Sequence, residues 1–254
     1  MKVLIITAAG VSSRFSESVG YPCLKCLYHE NGIEESLLYR MLHLDGGFDR
    51  YVVVGGFQYE KLKAAIEDEF QDFRGRLLLV ENEHYADYGS GYSLYLGLAA
   101  IMGMDVTEVV FAEGDLFVDR EGFCRVCDAQ KDVVTCNTEA ILAEKAVAFY
   151  FDKDCGIHYI YDTAHSVFEI KEPFRGIFNS GQVWKFADAK RLRETVRAIP
   201  KEDWQKTNLV LIQKYFGNLG KGEYEVVAFQ DWVNCNTISD YRKCQRKGGK
   251  HENT

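Results

Sequence analysis

The sequence predicts an α/β protein: a doubly wound, mostly parallel sheet with helices on both faces and an inserted lobe of mixed strands. Two observations carry this. Short apolar runs alternate with segments spaced for helices through the first half of the chain, and such alternation implies a parallel sheet covered on both sides. Beyond Ala146 the pattern changes to brief strand-like runs separated by Asp and Gly, which reads as an insertion into that core.

Val3–Thr7 is apolar throughout, as expected of a strand buried on both faces. Tyr51–Val54, Leu77–Val80, Val109–Ala112 and Val133–Cys136 repeat the pattern. Between them, Leu37, Leu38, Met41 and Leu42, then Leu62, Ala65, Ile66 and Phe70, then Leu94, Leu96, Leu98 and Ile101 mark three helices. In the second half, strands are expected at Ala146–Phe151, His158–Tyr161 and Phe168–Ile170. Helices follow from Ala187 to about Ile199 and from Trp204 to Phe216, then a strand Tyr224–Phe229 and a closing helix from Ser239.

The 254 residues carry only three prolines and no Gly/Ser/Pro-rich linker, so residues 1–246 are read as one domain and 247–254 as a polar tail. A net charge of −8 with no basic stripe disfavours nucleic acid or an anionic membrane as partner. The apolar start is too short for a signal-peptide core, and a cytoplasmic location with the eight cysteines reduced is expected. The C-x-x-C pairs Cys23/Cys26 and Cys124/Cys127 lie far apart in the sequence and are read as ordinary thiols rather than a zinc site.

The first strand runs into Ala8-Ala9-Gly10-Val11-Ser12-Ser13-Arg14-Phe15. Small residues after a buried strand let backbone amides approach an anion, and an arginine there can clamp a phosphate with its planar fork. An ordinary strand–helix turn has the same composition. The three spaced glycines of a dinucleotide-binding turn and the Gly-Lys-Ser/Thr of a Walker loop are both missing, which removes the dehydrogenase reading.

This loop, followed by Leu24-Lys25-Cys26-Leu27, resembles the signature of the GT-A-like nucleotidyltransferases, A-x-G-x-G-[ST]-R and P-K-x-L. Asn82–Tyr88, Tyr92-Ser93-Leu94-Tyr95-Leu96, Glu113-Gly114-Asp115-Leu116-Phe117 and Asn234–Tyr241 are similar to one group within that superfamily. It is the licC-type group: CTP:phosphocholine cytidylyltransferases and relatives acting on aminoalkylphosphonates. Two departures stand out: Ser12 replaces the usual glycine, and Leu24 replaces the proline before the lysine, with Pro22 displaced upstream.

The resemblance implies Rossmann-like GT-A architecture and transfer of a nucleoside monophosphate, CMP from CTP, to a small phosphorylated or phosphonylated acceptor with release of pyrophosphate. It implies that Arg14 and Lys25 are catalytic cations. It also implies that Ala8, Ala9, Gly10, Ser12, Ser13, Tyr88 and Ser93 hold the nucleotide, and that Asp115 and Asn236 ligate Mg²⁺. The oxygen-only chemistry of Asp115 and Asn236 suits Mg²⁺, and Asp115 follows a buried strand, where open α/β sheets place ligands. The alternative for Asp115 is an ordinary turn aspartate, for Asn236 a helix cap, and for Ser93 a cap of its own helix. Glu113 and Asp119 are read as solvated turn residues.

For the acceptor, the candidates are Lys145, suited to a second anionic group or simply solvated, and Asn179, in an Asn179-Ser180-Gly181 segment similar to a sugar-contacting turn. Trp184 is a third, cage or core. A sugar-1-phosphate nucleotidyltransferase and a non-catalytic NTP-binding regulatory domain are the competing readings.

Overall fold

The computed structural model describes residues 1–161 and 167–251. In chain order it forms β1 (Lys2–Thr7), α1 (Ser13–Val19), α2 (Leu37–Leu42), β2 (Arg50–Gly55), α3 (Tyr59–Glu69), β3 (Leu77–Glu81), α4 (Ser90–Ala99), β4 (Glu108–Glu113) and β5 (Leu116–Val118). Then come α5 (Arg120–Asp128), β6 (Asp132–Asn137), β7 (Ala148–Asp152), β8 (Ile157–Ile160), β9 (Phe174–Phe186), α6 (Ala189–Arg197), α7 (Leu209–Phe216), β10 (Tyr224–Phe229), β11 (Trp232–Asn234) and α8 (Ile238–His251). No helix among the described residues is long and apolar enough to cross a membrane.

The main sheet runs in the order β10–β6–β9–β4–β1–β2–β3, with β7 and β8 continuing from β9. Strands β1, β2, β3 and β4 are mutually parallel, as are β6 and β10. The apolar strands are sandwiched, which explains their composition. Val3 and Ile5 face one core with Leu94, Leu98, Phe111 and Trp184. Leu4 and Ile6 face the other, with Leu38, Val53, Leu62 and Phe123. Each fully buried side chain of this kind stabilises by about 1.5–3 kcal/mol.

Strand β9 is the element the sequence pattern does not announce. Its first half, Phe174 to Asn179, pairs antiparallel with β7. Its second half is inserted antiparallel between β4 and β6. It thus carries the inserted lobe into the main sheet. The register against β6 breaks between Val134 and Cys136, and Gln182 there has φ 55° while only 2% exposed. A left-handed, buried, non-glycine residue of this kind stores about 1–3 kcal/mol of strain.

Three sequence-based elements differ in the structure. Phe168–Ile170 forms no strand. The helix expected over Trp204–Phe216 is a 3-10 turn at Lys201–Gln205 followed by α7, broken where Lys206 is extended. Helix α8 continues through Lys247, whose ammonium meets the Asp231 carboxylate. The polar tail expected from 247 therefore starts inside a helix, and 252–254 lie outside the described residues.

Lys185 on β9 is 2% exposed. Its ammonium donates to the Cys127 and Ala129 carbonyls at 2.9 and 2.6 Å and pairs with Glu108 on β4 at 2.7 Å. The buried charge is compensated from three sides and ties β9 to β4 and to the chain end of α5. Breaking such a pair from one side costs about 3–5 kcal/mol. Lys185→Ala is expected to lose that much stability in urea unfolding; a loss below about 1 kcal/mol would remove this role.

Candidate active site

The loop after β1 is set by the strands around it. The Ala8 N–H donates to Val54 O at 2.8 Å and Ala9 O accepts from Phe57 N–H at 3.1 Å. Ser12 turns left-handed, φ 55°, to start α1, which leaves Ser13 and Arg14 exposed on the first helical turn. The Ser12 hydroxyl donates back to Gly10 O at 3.3 Å.

Beside this loop, β4 ends at Glu113 and the chain turns through Gly114. The Gly114 N–H donates to Thr7 O at 2.8 Å, and a Cβ at Gly114 would lie 2.7 Å from that same oxygen. Only glycine allows this approach. It brings Asp115 to Lys25, which opens a 3-10 turn at Lys25–Leu27. The Lys25 ammonium donates to Asp115 Oδ2 at 2.8 Å, with the side chains 13% and 24% exposed. Asp115 Oδ1 is buried and meets no hydrogen-bond donor among the described residues.

Antiparallel pairing of β5 with β11 brings the second half of the site in. Asn234 lies opposite Leu116, and the Cys235 N–H donates to Asp115 O at 2.8 Å. Asn236 follows directly. Its Oδ1 accepts from an Arg14 guanidinium N–H at 3.0 Å, and its Nδ2 donates to Asn234 Oδ1 at 2.7 Å. Each of the two cations therefore rests on one of the two oxygen-bearing candidates for a metal. Asn236 is not the cap of α8. Thr237 and Asp240 form a reciprocal capping pair, Thr237 N–H to Asp240 Oδ2 at 3.0 Å and Asp240 N–H to the Thr237 hydroxyl at 3.3 Å. The spacing Thr-x-x-Asp was present in the sequence as a signal for this.

A cavity of about 240 Å³ opens between these segments. Ala8, Ala9, Gly10, Ser12, Lys25 and Asp115 line it together with Asn82, Tyr85, Tyr88 and Ser93, whereas Ser13, Arg14 and Asn236 are not among its lining residues. Ser93 does not cap α4; the cap position is Gly89. The Ser93 hydroxyl instead accepts from buried Asn82 Nδ2 at 2.9 Å. Gly89 and Gly91 press against the 205–206 backbone, their N–H groups donating to Gln205 O and Lys206 O at 2.8 and 2.9 Å. A Cβ on Gly89 would lie 2.3 Å from Lys206 O, so the segment before α7 forms a fixed backing for this wall.

Glu113 and Asp119 are not solvated turn residues. Glu113 lines the cavity and accepts from Asn208 Nδ2 at 2.8 Å. Burial, with Asp115 close by, pushes its carboxyl up to about 7. Asp119 is buried and caps α5, accepting from Gly122 N–H at 2.6 Å and from Gln230 N–H at 2.9 Å. Asn82, Glu113 and Asn208 are the polar residues that sequence reasoning missed or undervalued here. Nothing in the local pattern around Asn208 marks it.

The acceptor candidates are dispersed. Lys145 is exposed in the turn before β7. Asn179 is not in a turn but inside β9, buried, with an Oδ1 that meets no donor among the described residues. Trp184 belongs to the core: it is fully buried, stacks on Phe111 at 5.2 Å, and donates its indole N–H to the Tyr159 hydroxyl at 2.7 Å. A cage role is excluded for it by this burial.

The glycine geometry gives a paired expectation. Gly114→Ala must push the Asp115 turn off Thr7 and costs about 1–3 kcal/mol by overpacking. Gly10→Ala meets nothing within 4 Å and leaves the melting temperature nearly unchanged. Equal melting temperatures for the two variants would contradict the assigned role of Gly114.

Among solved structures, the chain is similar to CTP:phosphocholine cytidylyltransferase (LicC) from Streptococcus pneumoniae, at TM-score 0.64 and 18% identity over 96% of this chain and 98% of that one. It is similar to the inositol-1-phosphate CTP transferase from T. maritima, at TM-score 0.67 and 18% identity over 96% and 95%. It is also similar to a glucose-1-phosphate thymidylyltransferase, described as putative, from Bacillus anthracis, at TM-score 0.67 and 14% identity over 96% and 94%. The fold is thus that of the GT-A-like nucleotidyltransferases. No curated protein sequence matches the chain. One family model matches residues 21–247, and the chain belongs to that family, the domain of unknown function DUF6564.

Proposed function

We propose that this chain is a nucleotidyltransferase that moves CMP from CTP to a small phosphorylated or phosphonylated acceptor, such as phosphocholine or 2-aminoethylphosphonate, and releases pyrophosphate. One observation carries the reading. Lys25 pairs with Asp115 in the lining of a cavity that the β1 loop also lines, and a second cation, Arg14, pairs with Asn236, which directly follows the Cys235 whose N–H bonds Asp115 O. The likeness to two CTP-using transferases supports the donor.

The reaction is an in-line displacement at the α-phosphorus. The acceptor oxygen forms a bond to it, the bond to the bridging oxygen breaks, and pyrophosphate leaves with the electron pair. A phosphate acceptor is already largely ionised near neutral pH, its second pKa being about 6, so no general base is required. The work left to the protein is alignment and charge compensation. Arg14 holds the β- and γ-phosphates and the leaving pyrophosphate. Lys25 spans the α-phosphate and the acceptor. Ala8 to Gly10 and the wall of Tyr88 and Ser93 receive the base, with Ser12 and Ser13 beside the phosphates. The buried, unpartnered Asp115 Oδ1 and the Asn236 carbonyl oxygen fit Mg²⁺, a hard cation held by one or two oxygen side chains plus phosphates. When bound, it supplies further charge neutralisation at the phosphates. The acceptor lies toward the inserted lobe of β7, β8 and the first half of β9, with Lys145 and Asn179 as candidates for its contacts. A small-molecule reaction rather than nucleic-acid binding fits the net charge of −8, and a cytoplasmic location is part of the same reading.

A sugar-1-phosphate acceptor is the second reading, favoured by the likeness to a glucose-1-phosphate enzyme. A regulatory domain that binds NTP without turnover is the third. One screen separates them: pyrophosphate release from each of four NTPs against phosphocholine, 2-aminoethylphosphonate, phosphoethanolamine and sugar phosphates. CTP with a zwitterion is the expected pair, and turnover only with a sugar phosphate would replace it. Tight NTP binding without turnover of any acceptor would support the regulatory domain.

Arg14→Ala and Lys25→Ala are each expected to lower turnover by about 10²-fold or more. Arg14 is exposed, so Arg14→Ala should leave the melting temperature nearly unchanged, whereas Lys25→Ala also leaves the Asp115 carboxylate unpaired and should lower it somewhat. Early melting with normal turnover would contradict these roles. Excess EDTA should abolish turnover, and Asn236→Asp, which keeps an oxygen in place, should retain it.

A further inference from the structure

We infer that Asn234 is a positioning residue, fixing which end of the Asn236 amide faces Arg14 and the metal position; this rests on the nucleotidyltransferase reading above. An asparagine amide is nearly symmetric in shape, but its ends are opposite in chemistry. Only the oxygen can ligate a cation or accept from a guanidinium. Asn236 needs something to hold it the right way round.

Asn234 supplies that. Its Oδ1 accepts from Asn236 Nδ2 at 2.7 Å, which leaves Asn236 Oδ1 turned to Arg14 at 3.0 Å. A flipped amide would set an NH₂ against the Arg14 donor and an oxygen against the Asn234 oxygen, losing both bonds at once. Asn234 is itself oriented, since its Nδ2 reaches Gln182 Oε1 at 3.4 Å. Gln182 is the buried, left-handed residue at the irregularity of β9. The Trp232 indole N–H donates to Gly181 O at 2.9 Å, pinning β11 to that same point. Bulges are used to re-aim a side chain near active sites, and here the chain of amides runs from the β9 irregularity through Gln182 and Asn234 to Asn236. A carboxylate at 236 would need no such chain, because its two oxygens are equivalent.

That difference provides the test. Mn²⁺ is titrated into the full-length chain with saturating CTP, or whichever triphosphate binds best, and read by calorimetry or by loss of the free-Mn²⁺ resonance. Removing a residue that orients a metal ligand typically costs 10–100-fold in affinity, so Asn234→Leu is expected to weaken Mn²⁺ by about 10-fold or more. Asn234→Asp keeps an acceptor for Asn236 Nδ2 and should preserve binding. In the Asn236→Asp background, Asn234→Leu should change affinity by less than about 2-fold, since the two sites then no longer couple. Asn234→Ala is read the same way should leucine lower the melting temperature. Equal losses in both backgrounds, or no loss with Asn236 present, would overturn the inference alone. A wild-type chain that binds no Mn²⁺ would overturn the metal reading and this inference together.

Discussion

The Lys25–Asp115 ion pair is the contact on which the site depends. It joins two segments ninety positions apart in the chain at 2.8 Å, half-withdrawn from water, where neither charge could stay unpaired cheaply. Its worth to the site is geometric. It fixes the Lys25 turn against the Gly114 turn, and so sets the mouth of the cavity. Arg14 on Asn236 repeats the arrangement with a neutral partner. On the proposed function, the phosphate oxygens of a bound triphosphate would take over Lys25 and Arg14, and Asp115 and Asn236 would then be free to hold a divalent cation. The charges stay compensated throughout, which is how a partly buried polar site avoids the penalty of bare ions.

The sheet explains why these residues meet. Loops at the carboxyl ends of β1 and β4 face the same crevice, the general position of ligand sites in open α/β sheets. The short β5–β11 pair then delivers residues 234–236 from the far end of the chain. Strand β9 joins the inserted lobe to the core with an irregularity at its midpoint. The same irregularity holds Gln182, whose Oε1 accepts from Asn234 Nδ2 at 3.4 Å, so the lobe and the 234–236 segment share one structural link.

The legible parts of the sequence were those with a period. Strands such as Val3–Thr7 are buried on both faces by two separate cores, and a continuous apolar run is the direct result. Strand β9 was hidden for the opposite reason. Its interior carries Asn179, Ser180, Gln182 and Lys185, all buried. Their polar atoms are met largely by tertiary partners: the Cys127 and Ala129 carbonyls and Glu108 for Lys185, Asn234 for Gln182. Such partners leave no local signal, so a polar stretch with two glycines read as a turn. The same limit applied to Trp184, whose core position follows from Phe111 and Tyr159 on other strands. In the site, Lys25, Asp115 and the loop Ala8–Ser12 came from motif resemblance and meet at one cavity. Ser93 and Asn236 each had a local reading as a helix cap, and the structure gives those caps to Gly89 and Thr237 instead. Glu113 was undervalued because burial at the end of β4 depends on Asn208, ninety-five positions away.

The most direct measurement is a crystal structure of the chain with CTP and Mg²⁺. The triphosphate should lie along Ser12, Ser13 and Arg14, with the base between the Ala8–Gly10 backbone and the Tyr88–Ser93 wall. Lys25 should have left Asp115 for the α-phosphate, and the cation should sit on Asp115 and Asn236. A nucleotide bound elsewhere, or one bound in this cavity with the Lys25–Asp115 and Arg14–Asn236 contacts unbroken, would contradict the exchange on which the proposed chemistry rests.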